Sequence, residues 1–328
     1  MNFDQLFAHI GQHTLDGLSK GAIYALIALG YTLVYGVLRL INFAHSEVFM
    51  VGTFAVLGTW TALGVTGTSS VTMILVYCVA GLIAGALASG GTALAVERIA
   101  YRPLRKKNAP SLVFLITAIG VSTVLMEIFG WVLVWLNRDV MGRDPKPFGR
   151  LIAGVPTVVE QKVLFKVGDA EVTNIMVIVI VAAIAMMIGL DIFINRTRLG
   201  RGVRAVAQNP DTAALMGVNK DRVIMLVFVL GGIMAGGAAM LYNLKLGTTK
   251  FDVGFLLGIK AFTAAVLGGI GNLRGALLGG LLLGVVEVYA ATLTQSNWED
   301  VAAFVVLVVV LMFRPTGLLG ESLGRARA

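Results

Sequence analysis

Long, almost uncharged apolar runs limit most strongly what this chain can fold into. Nine such runs lie along the sequence, and most are close to the roughly 20 residues with which a helix crosses a bilayer. Lipid offers the backbone no hydrogen-bonding partner, so these runs are expected to be helices. They lie near residues 16–37, 44–64, 71–95, 111–136, 174–194, 223–244, 254–273, 275–293 and 298–313.

The composition agrees with a polytopic membrane protein. Hydrophobic residues make up 57% of the 328 residues and charged residues only 13%, so polar surface is too scarce to cover a soluble globule of this size. Forty glycines, several of them four residues apart, favour spans that pack closely. We predict one all-α transmembrane domain over residues 1–328, with about eight or nine membrane helices. The glycine-rich run 254–273 and the short run 298–313 are candidates for re-entrant or broken helices.

Basic residues predict which side of the membrane each loop faces. Lysine and arginine cluster at 98–107, 196–222 and 314–327, which follow the third, fifth and ninth runs. Cytoplasmic loops carry the excess of positive charge, so these clusters are assigned to the cytoplasm and the amino terminus to the outside. Glu299 and Asp300 face outward on the same reasoning. The start MNFDQ lacks a basic region, so the first run is expected to remain as an uncleaved span.

The sequence also excludes several classes of function. The net charge of +8 lies in loops between the runs, so no nucleic-acid partner is expected. Cys78 is the only cysteine, and His9, His13 and His45 form no cluster with carboxylates, so neither a disulfide nor a metal site is predicted. The chain has no G-x-x-x-x-G-K-[ST] loop for ATP phosphates. We therefore predict no catalytic residue and no bound cofactor, and any ATP that drives this protein is used by another subunit.

The stretch 195–222 carries the signals of a short cytoplasmic helix. Asn209, Pro210 and Gly217 are typical of a helix cap, a first helical position and a left-handed stop. They predict a helix of about two turns, too short to be stable alone in water, which becomes ordered against its own protein and a partner's groove. The alternative is a basic loop that only sets the topology. The predicted helix comprises Asn209, Pro210, Asp211, Thr212, Ala213, Ala214, Leu215, Met216 and Gly217.

The longest polar stretch is the predicted outward loop, residues 137–173. Gly168 and Asp169, within the alternating segment VLFKVGDAEV, indicate a hairpin turn. The loop is interpreted either as an extracytoplasmic docking ledge for a soluble partner or as a solvated connector.

Ionisable residues inside the apolar runs are candidates for function, because a charge at membrane depth is costly. Glu127, Lys260 and Glu287 lie in the fourth, seventh and eighth runs. Lys260 and Glu287 either pair to fix the register of two helices or meet the carboxylate and ammonium groups of a zwitterionic substrate. For Glu127, a position facing a partner subunit is the alternative to a role in transport.

The junction 38–52, LRLINFAHSEVFMVG, places polar groups between two apolar runs. Such groups cap a broken helix and line a polar path, or they satisfy an ordinary turn at the membrane interface. His45 and Ser46 are neighbours and do not face each other on a helix, so a hydrolytic arrangement with Glu47 is not predicted. The candidate substrate path comprises Asn42, His45, Ser46, Glu47, Lys260 and Glu287.

Three segments together resemble one protein family. They are GAIYALIALGYTLVYGVLRLINFAHSEVFMVG near the start, LGRGVRAVAQNPDTAALMGVNKDRVI after the fifth run, and GIKAFTAAVLGGIGNLRGALLGGLLLGVVE late in the chain. These segments resemble the membrane permeases of branched-chain amino acid importers driven by ATP-binding-cassette (ABC) proteins, of the LivH type. Two positions depart from the family pattern. Ser46 stands where Gly is usual, which adds a hydroxyl near the candidate path, and Arg274 stands where Pro is common.

The resemblance implies a multi-pass permease of the bacterial inner membrane, embedded in the lipid bilayer. It implies pairing with a second, similar permease, with two cytosolic ABC ATPases that use the ATP, and with an extracytoplasmic binding protein. The helix at 209–217 is then the coupling helix seated in an ATPase groove, and the cargo is leucine, isoleucine, valine or a related solute. Urea or short amides are the alternative cargo. An ion-coupled secondary transporter, with Glu127 and Glu287 as its carboxylates, and a channel are the rival classes.

Overall fold

The computed structural model describes residues 3–65, 70–135, 153–294 and 298–320. These parts of the chain are mostly helical, which confirms the all-α fold class. A π-helical turn, Glu97–Tyr101, joins the helix Val71–Val96 to the helix Arg102–Lys106. The helices are α1 (Phe3–Ala8), α2 (Ile10–Leu38), α3 (His45–Ala62), α4 (Val71–Val96), α5 (Arg102–Lys106), α6 (Ser111–Trp135), α7 (Asn174–Arg196), α8 (Arg198–Gln208), α9 (Pro210–Leu215), α10 (Lys220–Leu246), α11 (Val253–Gly268), α12 (Leu273–Leu293) and α13 (Glu299–Phe313).

Six of the nine predicted runs form helices that are long and apolar enough to cross a membrane. Among the described residues these are α2, α4 with its continuation to Lys106, α6, α7, α10 and α12. The other three runs form α3, α11 and α13. The 16 residues of α11 and the 15 of α13 reach about 24 and 22 Å, less than the roughly 30 Å of a hydrocarbon core. Helix α11 ends before Gly269, whose positive φ of 106° leaves the helical region.

The chain folds as two compact units, each assembled from segments distant in sequence. Unit 1 comprises Met1–Arg39, Gln161–Val227 and Ile259–Ala328, and unit 2 comprises Leu40–Glu160 and Phe228–Gly258. Each unit has its own buried core.

Unit 1 is built around the close approach of α2 and α12. A Cβ added to Gly21 of α2 would lie 2.5 Å from the carbonyl oxygen of Gly280, and one added to Gly17 would lie 2.6 Å from the Cα of Val285. Glycine therefore lets the two backbones touch, as the spacing of Gly280 and Gly284 predicts. The segment of α2 from residue 22 to residue 29 is almost completely buried.

Unit 2 is organised in the same way around α3, α4 and the part of α10 that it contains. A Cβ on Gly85 of α4 would lie 2.8 Å from the carbonyl oxygen of Gly236. The indole Nε1 of buried Trp60 donates a hydrogen bond of 2.8 Å to the carbonyl oxygen of Tyr77. The Ser89 hydroxyl donates to the carbonyl oxygen of Val48 at 2.9 Å. These contacts fix α4 against α3.

The strands are short and lie outside the apolar runs. In unit 2, β1 (Ala153–Gly154) pairs antiparallel with β4 (Thr248–Thr249). In unit 1, β2 (Val163–Val167) and β3 (Ala170–Thr173) form an antiparallel hairpin. Gly168 has a φ of +63°, so the hairpin turn predicted there is confirmed. Residues 137–152 of the predicted outward loop lie outside the described residues.

Candidate functional site

The predicted coupling helix forms as α9, with the caps that the sequence indicates. Asn209 has an extended backbone, and its Oδ1 accepts hydrogen bonds of 3.0 Å from the backbone N–H groups of Asp211 and Thr212. Pro210 is the first helical residue, and Gly217, with φ +83°, follows the helix end. The helix has six residues, which is close to the two turns expected, and Met216 has already left the helical conformation.

Helix α8 attaches α9 to the rest of unit 1. The Thr197 Oγ1 caps α8 by accepting the N–H of Gly200 at 3.0 Å, and Val203 and Val206 are buried. On α9 only Ala213 is buried. Leu215 and the following Met216 are 87% and 81% exposed, so the end of this segment presents two large apolar side chains that no described residue covers.

Four of the predicted path residues are brought together in unit 2. Asn42, His45, Ser46 and Glu47 are all buried, and the last three form the first turn of α3. The Tyr101 hydroxyl donates a hydrogen bond of 3.0 Å to the Asn42 Oδ1. The junction between α2 and α3 is therefore a buried polar region, and its role in a substrate path stays a prediction.

The Glu47 carboxylate receives little hydrogen bonding for a buried charge. The Ser122 hydroxyl donates to Glu47 Oε1 at 3.2 Å. The Ser46 hydroxyl lies 3.4 Å from the same oxygen but 2.6 Å from the carbonyl oxygen of Phe43. Because a hydroxyl has one hydrogen, we assign the shorter bond to Phe43. Glu47 Oε2 accepts no hydrogen bond from the described residues.

Further buried polar groups continue from Glu47 along α3. The Thr53 Oγ1 lies 2.8 Å from the Thr249 Oγ1, and the Asn243 Nδ2 donates to the carbonyl oxygen of Thr53 at 2.8 Å. The Asn243 Oδ1 accepts no hydrogen bond within the described chain. Sequence reasoning missed these residues and Ser122. Asn243 lies inside the sixth apolar run. Glu127 was selected because a charged residue inside such a run is a candidate for function, and the same rule applied to amide side chains would have found Asn243.

Lys260 and Glu287 meet in unit 1, within a larger cluster of charges. The Lys260 Nζ lies 3.3 Å from Glu287 Oε1, 3.2 Å from Glu299 Oε1 and 2.6 Å from Asp300 Oδ1. The Lys20 Nζ lies 3.1 Å from Glu287 Oε2 and also pairs with Glu299. The hydroxyl of Tyr24 donates to Glu287 Oε2 at 2.8 Å.

The predicted pair is thus part of a network that joins α2, α11, α12 and α13. Oxygens of Glu287, Glu299 and Asp300 lie within 4.8 Å of one another. Lys260 pairs with all three carboxylates, and Lys20 pairs with the two glutamates. Because each of these carboxylates has at least one ammonium partner, the arrangement is a salt-bridge cluster. The sequence did not indicate the participation of Lys20, Tyr24, Glu299 or Asp300, which lie in or beside other runs. Glu127, the third intramembrane candidate, is half-buried on α6.

Two positions that depart from the family pattern differ in their surroundings. At the start of α3, the Ser46 hydroxyl donates a hydrogen bond to the carbonyl oxygen of Phe43. The Arg274 side chain is 75% exposed, with its Nη2 4.0 Å from the Asp191 Oδ2. Its backbone N–H is one of two that Asn272 caps at the start of α12.

The sequence is similar to curated proteins along almost its whole length. Residues 13–311 match a family model described as branched-chain amino acid transport system / permease component. The chain is 40% identical over 316 residues to the high-affinity branched-chain amino acid transport system permease protein BraD of Pseudomonas aeruginosa. The aligned region covers 95% of this chain and 96% of that protein. It is 38% identical to the corresponding permease LivH of Escherichia coli strain K12, over 96% of this chain and 97% of that protein. No solved structure matches the chain significantly.

Proposed function

Because this chain belongs to the branched-chain amino acid transport permease family, we propose that it is the membrane permease subunit of an ABC importer for leucine, isoleucine or valine. Its near full-length relatives are named as branched-chain amino acid permeases, which favours this cargo over urea or short amides. The chain is not itself an enzyme, and ATP hydrolysis belongs to separate subunits of the importer.

The observation that carries this proposal is the exposed end of α9. A chain without a phosphate loop needs energy from a partner, and a short capped helix with two uncovered apolar side chains fits a groove on such a partner. Ala213 and the buried valines of α8 hold the helix to unit 1. Movement of a partner's groove is thereby passed to the membrane helices as movement of a rigid element.

In the proposed cycle, ATP binding draws two cytosolic ATPase subunits together and shifts α9. The membrane helices then change from an outward-open to an inward-open packing. A second permease subunit completes the pathway, and an extracytoplasmic binding protein delivers the amino acid to the outward side of the bacterial inner membrane. The hairpin of β2 and β3 lies within the loop that we assign to that side and is our candidate contact for the binding protein.

We place the transported amino acid next to the buried polar groups of the chain. In unit 2 these are Asn42, His45, Ser46 and Glu47, and in unit 1 they are Lys260 and Glu287. Support comes from their burial in apolar surroundings, since a polar group at membrane depth is retained where it serves a function or a specific partner.

Uptake by the complete complex tests the proposal. The chain is co-expressed with its cognate permease, ATPases and binding protein and reconstituted in liposomes with labelled leucine. We expect uptake that requires ATP, is blocked by vanadate and persists when an ionophore removes ion gradients. Uptake that continues without ATP and stops with the ionophore would assign the protein to the ion-coupled secondary transporters instead.

A further inference from the structure

Glu47 has an unusual environment for a buried carboxylate in a membrane protein. Its side chain is completely buried. Its Oε1 receives one long hydrogen bond of 3.2 Å, from the Ser122 hydroxyl, and its Oε2 receives none from the described residues. No lysine, arginine or histidine of the described chain forms an ion pair with it. A buried carboxylate is retained where a cation or several donors compensate its charge, so a donor is lacking at Oε2.

Helix ends offset only part of this charge. Glu47 lies in the first turn of α3, and the second residue of α11, Gly254, lies so close that a Cβ there would be 2.8 Å from Glu47 Oε2. The positive ends of two helix dipoles therefore face the carboxylate. A partial charge does not replace a hydrogen bond, and the N–H groups of these turns do not donate to Oε2.

A comparison with Glu287 and Glu97 shows that Glu47 lacks the cationic partners of other buried carboxylates. Glu287 is equally buried and has two lysines and the Tyr24 hydroxyl as partners. Glu97 is also completely buried and is bound by Arg102 and Arg105. Both carboxylates have cationic partners, whereas Glu47 has none among the residues that the structure describes.

We propose that Glu47 Oε2 receives the α-ammonium group of the amino acid during its passage. This assignment rests on the proposed function, and it names the chemistry of that path. An ammonium group supplies both the positive charge and the hydrogens that Oε2 lacks. The hydroxyl oxygens of Ser46 and Ser122 keep lone pairs that can accept hydrogen bonds from the remaining hydrogens of the ammonium group. The cargo that this site requires carries a free ammonium group, which urea does not.

The first turn of α11 covers this site in the structure. Gly254 lies against both the Ser46 carbonyl and Glu47 Oε2, so an ammonium group reaches Oε2 only after this turn moves away. The structure therefore corresponds to a closed state of the site.

Replacement of Glu47 by glutamine tests the proposal, because the amide keeps the size and the acceptor oxygen but removes the charge. In the reconstituted complex, we expect E47Q to reduce the leucine uptake rate by about tenfold or more, the size of one lost charge-assisted contact. The ATPase rate and the thermal unfolding temperature of the complex should stay near wild type. Glu47→Asp should recover part of the uptake.

Ser89→Ala is the matched control, because it removes another buried hydroxyl that bonds α3 without approaching Glu47. Its uptake should remain close to that of the wild type. Wild-type uptake kinetics in E47Q would overturn the ammonium site while leaving the importer assignment intact. A loss of stability that accounts for the lost uptake would also overturn it, in favour of a structural carboxylate. Failure of the wild-type complex to import leucine with ATP would instead refute the proposed function.

Discussion

Glycine at position 254 allows the first turn of α11 to lie directly on α3. A Cβ at this position would lie 2.5 Å from the Ser46 carbonyl oxygen and 2.8 Å from Glu47 Oε2. The first of these atoms belongs to the backbone of a buried turn and cannot rotate away. Gly189 on α7 is a useful contrast, because nothing lies within 4 Å of a Cβ built there.

We therefore predict that Gly254→Ala lowers the free energy of unfolding by about 1–3 kcal/mol, the usual cost of overpacking. Gly189→Ala should be neutral or stabilising by up to about 1 kcal/mol, since alanine favours the helix. Denaturant unfolding of the purified protein in detergent measures both. Equal losses in the two variants would mean that helix context, and not the close approach to α3, sets the cost.

At the scale of elements, α9 shows which features of a helix can be predicted from the residue types at its ends. The cap at Asn209 and the stop at Gly217 follow from residue types, because both depend on neighbouring backbone groups only. Which side chains of the helix are buried does not follow from them. Ala213 faces unit 1 while Leu215 is exposed, and this depends on how α8 packs.

Ala214 is exposed on α9, so a charged replacement should affect docking more than folding. We predict that Ala214→Glu reduces ATP-driven leucine uptake by about tenfold or more because the carboxylate would have to enter an apolar groove. Membrane insertion and the ATPase rate should persist, so that hydrolysis is uncoupled from uptake. The control Ala214→Ser, which is small and uncharged, should transport normally. Normal uptake by the glutamate variant would exclude α9 as the coupling element.

Lys260, in the salt-bridge cluster of unit 1, has two interpretations, which are to hold helices together or to bind the substrate. The stability of variants distinguishes them. If the cluster holds helices together, Lys260→Met should lower the free energy of unfolding by about 3–5 kcal/mol, because Glu287 loses one of its buried partners. Addition of Glu287→Gln should then cost less than the sum of the single changes, by about 0.5–3 kcal/mol.

Denaturant unfolding of the two single variants and the double variant measures this coupling. A stable Lys260→Met protein that no longer transports leucine would point to the other interpretation, in which Lys260 binds the substrate carboxylate.

At the scale of the whole molecule, the distribution of basic residues predicts which side of the membrane each loop faces. We predict that a cysteine at Asn209, in a Cys78→Ser background, reacts with a membrane-impermeant maleimide only after the cells are permeabilised. A cysteine at Lys166, on the exposed strand β2, should react in spheroplasts without permeabilisation. Reaction of both positions under the same condition would contradict the assigned topology.

Most of the helices were predictable because each depends on a local property. Six apolar runs became membrane-length helices, since a long apolar segment in lipid has to satisfy its own backbone. The Gly168 turn also follows from local conformation. The run that forms α11 was singled out by its glycines and Lys260, and the run that forms α13 by its short length, although the bounds of these helices were not predicted.

The structure was needed to identify which residues contact one another. The sequence identified Glu47 and Lys260 as polar groups among apolar ones, but it did not identify Ser122 or Asp300 as their neighbours. Apolar helices have no polar face that shows which side packs against which helix. The rotation of each helix is decided by close backbone contacts such as that of Gly21 with Gly280. The sequence alone therefore determined a helical membrane permease and the short helix that begins after Asn209, whereas tertiary packing decided that Lys260 is paired within the chain and that Glu47 has no cationic partner among the described residues.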